Sequence, residues 1–509
     1  MKLNTVRTIF VGFAFFLICT FWQVYDNIIP KILTDKFGMA QSFSGVVMAL
    51  DNVLALFLLP LFGAISDRHK SRLGRRTPFI IFGTILAAIF LVVLSFADNM
   101  QLKNLQEVDV QNPTALETLY DADLTVNTPD GRTVVIREAF SRSEFTSITM
   151  TVTDGTTGAE VTNPDYTNYV VPARQAYAWQ QTVKNPLPLI AFMAILLILL
   201  LSMATFRSPA VALMPDVTIK PLRSKANSII NLMGAAGGII VLILGMVFKT
   251  GHPKNALMSY TGFFAMASGI MLVSLLIFLW KVKEPQFVAE MREESRKYDI
   301  DGKDDEAELS GNKKLSREER TSLLLILASV VLWFMGYNAV TSKYSVYAGK
   351  VLNLDYNTTL TIATSAAILA YIPVGIVASK IGRKKTILGG IIILGCSFFA
   401  ASFMRAGSSP LVMNILFATA GIGWATINVN SYPMVVELSR GSDVGKYTGF
   451  YYTASMAAQT VTPILSGVFL DIKMTTLFPY GSVFVLLAFV TMLFVKHGDN
   501  RPTKAVKSS

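Results

Sequence analysis

Apolar residues run along this chain in long blocks separated by short polar stretches. The blocks occupy 8–29, 43–65, 77–97, 187–214, 225–248, 257–280, 321–343, 357–378, 386–404, 410–432, 447–469 and 477–495. At about 1.5 Å of rise per helical residue, such blocks reach across roughly 30 Å of hydrocarbon. The pattern predicts twelve transmembrane helices, six on either side of a charged stretch. The polar stretch 98–186 behaves differently. Thr125 to Ile136 reads as a hairpin around Pro129-Asp130-Gly131, and 147–155 and 159–162 read as further short strands. The chain therefore divides into helices one to three (1–97), an insert (98–186), helices four to six (187–280), a tether (281–320) and a second six-helix half with its tail (321–509). The expected fold is an all-α membrane protein of two pseudo-symmetric bundles, with a small extracellular β-rich insert.

The polar punctuation between helices is written twice. Gly63-Ala-Ile-Ser66-Asp67-Arg68, followed by Gly74-Arg75-Arg76, separates blocks two and three. Gly375-Ile-Val-Ala-Ser379-Lys380-Ile-Gly382-Arg383-Lys384-Lys385 separates blocks eight and nine. A second duplication closes blocks four and ten: Ser208-Pro209 through Pro215-Asp216, and Ser431-Tyr-Pro433 through Glu437. Repeated signals at matching places in two halves mark a transporter built from related bundles.

Composition sharpens this reading. Charged residues make up 16% of the chain and hydrophobic ones 52%, against about 25% charged in a soluble domain. The net charge of +11 would suit nucleic acid, but its distribution argues otherwise. About 30 Lys and Arg fall in the termini and even-numbered loops and about 14 in the odd-numbered loops, which places both termini in the cytoplasm. The insert is then extracellular, with twelve acidic and six basic residues. The tether, with twelve acidic and ten basic residues including Asp304-Asp305-Glu306, reads as solvated and part-helical. Cys19 and Cys396 lie inside apolar blocks, without metal-type spacing. Asn357-Thr-Thr is a formal glycosylation triplet of a kind common by chance.

The inner-loop motifs resemble those of the major facilitator superfamily. The longer first copy, Ser66 to Phe79, is similar to that of the glycoside-pentoside-hexuronide:cation symporters and their sucrose-transporter relatives. The resemblance covers the twelve helices and leaves out 98–186. It implies that Asp67, Arg75, Arg76, Asp216, Arg383 and Glu437 gate the inner side through ion pairs across the interface. Departures limit what carries over. Ala55 and Leu59 stand where melibiose-permease-type symporters have two carboxylates, and Val211 stands at the Arg of plant sucrose transporters.

Charges inside apolar blocks are costly unless they face a cavity or a partner. Asp51 lies about 24 Å from the inner face and Asp26 about 27 Å, so the two can share a depth. Paired carboxylates at one depth can share a proton or hold a cation, which makes Asp26 and Asp51 the candidate coupling pair. A proton is favoured over sodium because the sodium pattern is unmatched. Arg207 counts to about 10 Å below Asp51, and no direct salt bridge is implied. Sugar recognition needs amides, carboxylates and an aromatic face. Trp22, Gln23, Asp26 and Asn27 on helix one offer these, with Arg207 on helix four. Trp333, Tyr337 and Asn338 on helix seven, and Trp424, Asn428 and Asn430 on helix ten, answer them by pseudo-symmetry.

The expectation is a multi-pass plasma-membrane protein, sufficient as a monomer, that moves a sugar or glycoside by proton-coupled alternating access. Its partners are that small-molecule substrate and the bilayer, with no nucleic acid, metal or organic cofactor. An alternative is uptake or efflux of another small organic solute. A third is a transport-dead sensor that uses the insert. No nucleophile–base pairing appears, so an enzyme is not expected.

Overall fold

The computed structural model describes residues 3–153, 160–219, 222–297, 316–438 and 444–498. All twelve blocks are helices. The first half contains α1 (Thr5–Lys31, prolonged by a wider π-turn through Lys36), α2 (Gln41–Arg68) and α3 (Thr77–Lys103). The insert adds α4 (Ala115–Asp121), β1 (Thr125–Asn127), β2 (Thr133–Val135), α5 (Ile136–Ala139), α6 (Arg142–Thr146), β3 (Thr151–Thr153), β4 (Glu160–Thr162) and α7 (Val171–Lys184). The half then closes with α8 (Leu187–Asp216), α9 (Arg223–Phe248) and α10 (Thr261–Lys281), and α11 (Glu284–Lys297) begins the tether. The second half is α12 (Arg317–Tyr347), α13 (Tyr356–Ile381), α14 (Arg383–Ala401), α15 (Pro410–Val436), α16 (Val444–Ile472) and α17 (Leu477–Leu493).

Among the described residues, ten of these helices are long and apolar enough to cross a membrane. α13 and α16 complete the twelve. On α13, Thr361 and Thr364 donate their hydroxyls to the carbonyls of Asn357 and Leu360 one turn back, which lets hydroxyl-bearing residues sit in an apolar setting. Each half has its own core. Leu17, Phe21, Phe206 and Phe264 pack in the first, and Trp333, Tyr344, Phe398 and Phe478 in the second.

The halves touch closely where small residues allow it. Gly45 on α2 faces the carbonyl of Pro463 on α16, and Gly467 faces that of Gln41; a Cβ at either would collide with backbone. Close approach of backbones is the usual use of glycine between membrane helices.

The insert has a separate small core of Leu105, Leu119, Val126, Ile136, Phe145 and Tyr177. The hairpin stands where the alternation put it, with Val126 opposite Val134, and a second ribbon pairs Val152 with Val161. Each strand has only three residues and helices fill much of the remainder, so the insert is richer in helix than in strand. Short amphipathic turns such as α4 hide one face and leave little periodicity to read. Asn357 is 2% exposed and donates to Thr250 Oγ1 at 3.1 Å, which removes it as a sugar-chain acceptor. The tether's Asp304-Asp305-Glu306 and the side chain of Ser379 lie outside the described residues.

Candidate functional site

Three charged side chains meet inside the first half. Asp26 on α1, Asp51 on α2 and Arg207 on α8 lie within electrostatic reach of one another. The Arg207 guanidinium sits 5.0 Å from the centroid of the Trp22 ring, a cation–π distance. Asp51 Oδ1 accepts from Asn52 Nδ2 at 2.9 Å. Among the described residues no ion pair within 4 Å joins Arg207 to either carboxylate, so both acids keep acceptor capacity.

Around this triad the other expected residues divide. The Trp22 indole N–H is buried with no protein partner. The Gln23 side chain approaches Gly238 on α9. Asn27 is 3% exposed, and its amide returns to the Gln23 carbonyl at 2.9 Å, so it packs against its own helix. In the second half, the rings of Tyr337 and Trp424 stack at 3.7 Å with planes 1° apart, and Phe334 meets Trp424 edge-on. Asn338 Nδ2 has no protein partner. Trp333, one turn before Tyr337, is 0% exposed and belongs to the core. Asn430 is likewise buried and bonds the Thr426 carbonyl. Asn428 instead pairs with the Tyr371 hydroxyl on α13. Tyr371 went unnoticed in the sequence; it also comes within electrostatic reach of Cys19 on α1 and of Tyr337, so it stands where the halves meet.

The basic-loop face carries the duplicated motifs. Arg76 Nε meets Asp216 at 2.9 Å and Arg75 meets it at 3.3 Å. Arg76 also bonds Asp67, and Ser66 Oγ at 2.5 Å. Burial works against the Arg76 charge, but Asp216 and Asp67 outweigh it and hold its pKa above the ordinary arginine value. Arg383 meets Glu437 at 2.9 Å in the second half. These pairs therefore close within each half, not across the interface as expected, because each Arg opens the helix that neighbours its own acidic partner. The sequence also gave no sign of Glu284 on α11. Its carboxylate accepts from the backbone N–H groups of Arg75, Arg76 and Thr77 at 2.6–3.1 Å, capping the start of α3 from outside the helix.

The bonds between the halves lie at the opposite, insert face. α2 begins after Ala40, which offers no capping oxygen. Asp471 at the end of α16 supplies it, accepting from Gln41 N at 2.6 Å and Ser42 N at 2.8 Å. Lys343 on α12, fully buried, donates to the Gln41 carbonyl at 2.9 Å. Lys350 approaches Asp35 at 3.5 Å. Thr250 and Tyr356 share a bond of 2.9 Å. These bonds hold the two halves together on the insert side.

A family model described as Major Facilitator Superfamily matches residues 11–103, 177–369 and 355–509. An uncharacterised MFS-type transporter of Methanocaldococcus jannaschii is 28% identical over 124 residues, which is 24% of this chain and 30% of that protein's length. The inward-open xylose transporter XylE of E. coli superposes with a TM-score of 0.56 at 14% identity, over 97% of this chain and 96% of that one. The nucleoside transporter NupG superposes with a TM-score of 0.56 at 12% identity, over 96% and 100%.

Proposed function

The chain belongs to the Major Facilitator Superfamily, and on that premise we propose that it is a secondary active transporter of a sugar or glycoside, coupled to protons. The insert faces the outside and the basic loops the cytoplasm, consistent with the excess of Lys and Arg on that side. The two halves rock about their shared interface, where Tyr371 comes within electrostatic reach of Cys19. The single observation that carries this reading is the gathering of Asp26, Asp51, Arg207 and Trp22 in the first half, matched by a stacked Tyr337–Trp424 platform in the second.

Hydroxyl groups of a sugar would donate to the two carboxylates and accept from Arg207, while a ring face lies on the aromatic platform. Proton binding at Asp26 or Asp51 relieves like-charge repulsion and changes which orientation of the cavity is favoured. XylE, named as a xylose transporter, supports this reading by fold. The equal TM-score of a nucleoside transporter supports a second one, a solute whose ribose and base would use the same polar and aromatic groups. The test is uptake of radiolabelled disaccharides and nucleosides into vesicles with and without an imposed proton gradient. Gradient-stimulated disaccharide uptake is expected. No stimulation by any sugar, with uptake of a nucleoside, would replace the first reading by the second.

A further inference from the structure

The insert is covalently part of the first half at both ends, since α3 runs into it and α7 leads into α8. It is also seated there. Thr182 Oγ1 donates to the Phe37 carbonyl at 3.0 Å, Gln101 Nε2 to the Lys36 carbonyl at 2.9 Å and Gln175 Nε2 to the Met39 carbonyl at 3.0 Å. Whatever the first half does, the insert moves with it.

The insert nevertheless reaches the second half in two places. At the tip of the β1–β2 hairpin the Pro129 carbonyl accepts the Met474 N–H at 3.0 Å. Beside it, Gly131 has φ +88 and lies so near the Ile472 carbonyl that a Cβ would stand 2.6 Å from the oxygen. Lys350 Nζ donates to Gln175 Oε1 at 2.5 Å. Between these contacts lies a cavity of about 420 Å³, walled by Thr128 and Trp179 of the insert, Gln41 and Phe43 of the first half and Lys350 and Asp471 of the second.

The tip is stiffened before it docks. Thr128 N donates to the Arg132 carbonyl at 2.8 Å and Gly131 N to the Thr128 carbonyl at 2.9 Å. Arg132 Nε holds Asp130 at 2.7 Å, and the Thr128 hydroxyl also bonds Asp130. A turn already held in its docked shape loses little freedom on contact.

We propose that the insert is a strap for the gate on its own face. Carried by the first half, it grips Ile472–Met474 and Lys350 of the second only when that face is closed, and so holds the protein closed there. The strap goes beyond the choice of cargo; it needs only that the halves separate at the insert face, and its test uses no cargo.

The test uses the full chain in right-side-out vesicles, with Cys396→Ser to leave Cys19 as the reporter. Cys19 lies near Tyr371 and Arg207, so an impermeant maleimide added from the insert side reaches it through an open gate. Labelling is read by mass spectrometry on the Cys19 peptide. Gly131→Val pushes the tip off the second half and should speed labelling about fivefold, the worth of one hydrogen bond. Pro129→Cys with Met474→Cys, oxidised to a disulfide, should slow it at least about tenfold, with recovery on reduction. Labelling undiminished with the disulfide formed would overturn the strap. So would unchanged or slower labelling in Gly131→Val.

Discussion

Replacing Asp471 by alanine removes the cap that the second half places on α2. The carboxylate accepts two backbone N–H groups, from Gln41 and Ser42, that Ala40 cannot satisfy. Loss of an N-cap costs about 1 kcal/mol, and loss of a negative charge at a helix N-terminus adds about 0.3–1 kcal/mol. The Asp471 side chain is exposed, so screening keeps the second figure near its lower end. A sum of about 1.4 kcal/mol is a tenfold change in an equilibrium constant. The whole of it falls on the state closed at the insert face, because only there does Asp471 touch α2. Asp471→Ala should therefore raise the ratio of open to closed protein about tenfold. Spin labels on Lys254→Cys and Arg405→Cys, both exposed at that face, would report this by double electron–electron resonance in a background without native cysteines. The long-distance population should grow at the expense of the short one. Identical distance distributions in Asp471→Ala and its parent would refute the idea that this cap holds the face shut.

Three other perturbations test separate parts of the molecule. Asp26→Asn, Asp51→Asn and Arg207→Gln should each lower gradient-driven uptake about tenfold or more, as loss of a hydrogen bond to a charged group does; uptake across pH equal to wild type in all three would show the pocket is wrongly assigned. Glu284→Ala leaves three N–H groups at the start of α3 without their acceptor, which costs about 1–2 kcal/mol, and should lower Tm in detergent by a few degrees; an unchanged Tm would count against the cap. The Asp130 carboxyl is held below its ordinary range by the Thr128 hydroxyl first and then by Arg132. A depressed native pKa means the stabilisation is present above the unfolded value of about 3.9 and is lost as pH falls below it. Amide exchange at Gly131 and Arg132 should thus accelerate below about pH 4 relative to the intrinsic rate, and acid-insensitive protection would exclude the carboxylate as the holder of the turn.

The helices were legible because a membrane span demands a long apolar run, and ten of the twelve meet that demand among the described residues. The hairpin was legible because Pro129-Asp130-Gly131 permits a reversal that most tripeptides do not. The duplicated Arg and Asp positions were legible as a pattern, though not their pairing, since the choice of partner depends on which helices lie side by side. Trp333 and Tyr337 show the limit within one helix. They are four residues apart and share a helix face, yet one is closed into the core and the other stacks on Trp424, a difference set by what each meets at its own depth. The bonds at the insert face left no trace at all. Lys343, Lys350 and Asp471 sit at helix ends where charges are ordinary, and Gln41 lies hundreds of residues from its partners. Tyr371 was missed because a lone tyrosine in an apolar run announces nothing until Asn428 is beside it.

The docking of α11 by Glu284 shortens the leash between the bundles. With the connecting segment docked as far as Lys297 and α12 under way by Arg317, only the stretch numbered 298–315 separates the two anchored ends. Even drawn straight at about 3.3–3.6 Å per residue, it reaches only about 60 Å. A copy of the second bundle belonging to a neighbouring molecule must compete with one that never drifts farther than that. Each first bundle is thereby committed to the partner made on its own chain, and exchange of halves between molecules is suppressed by local concentration alone.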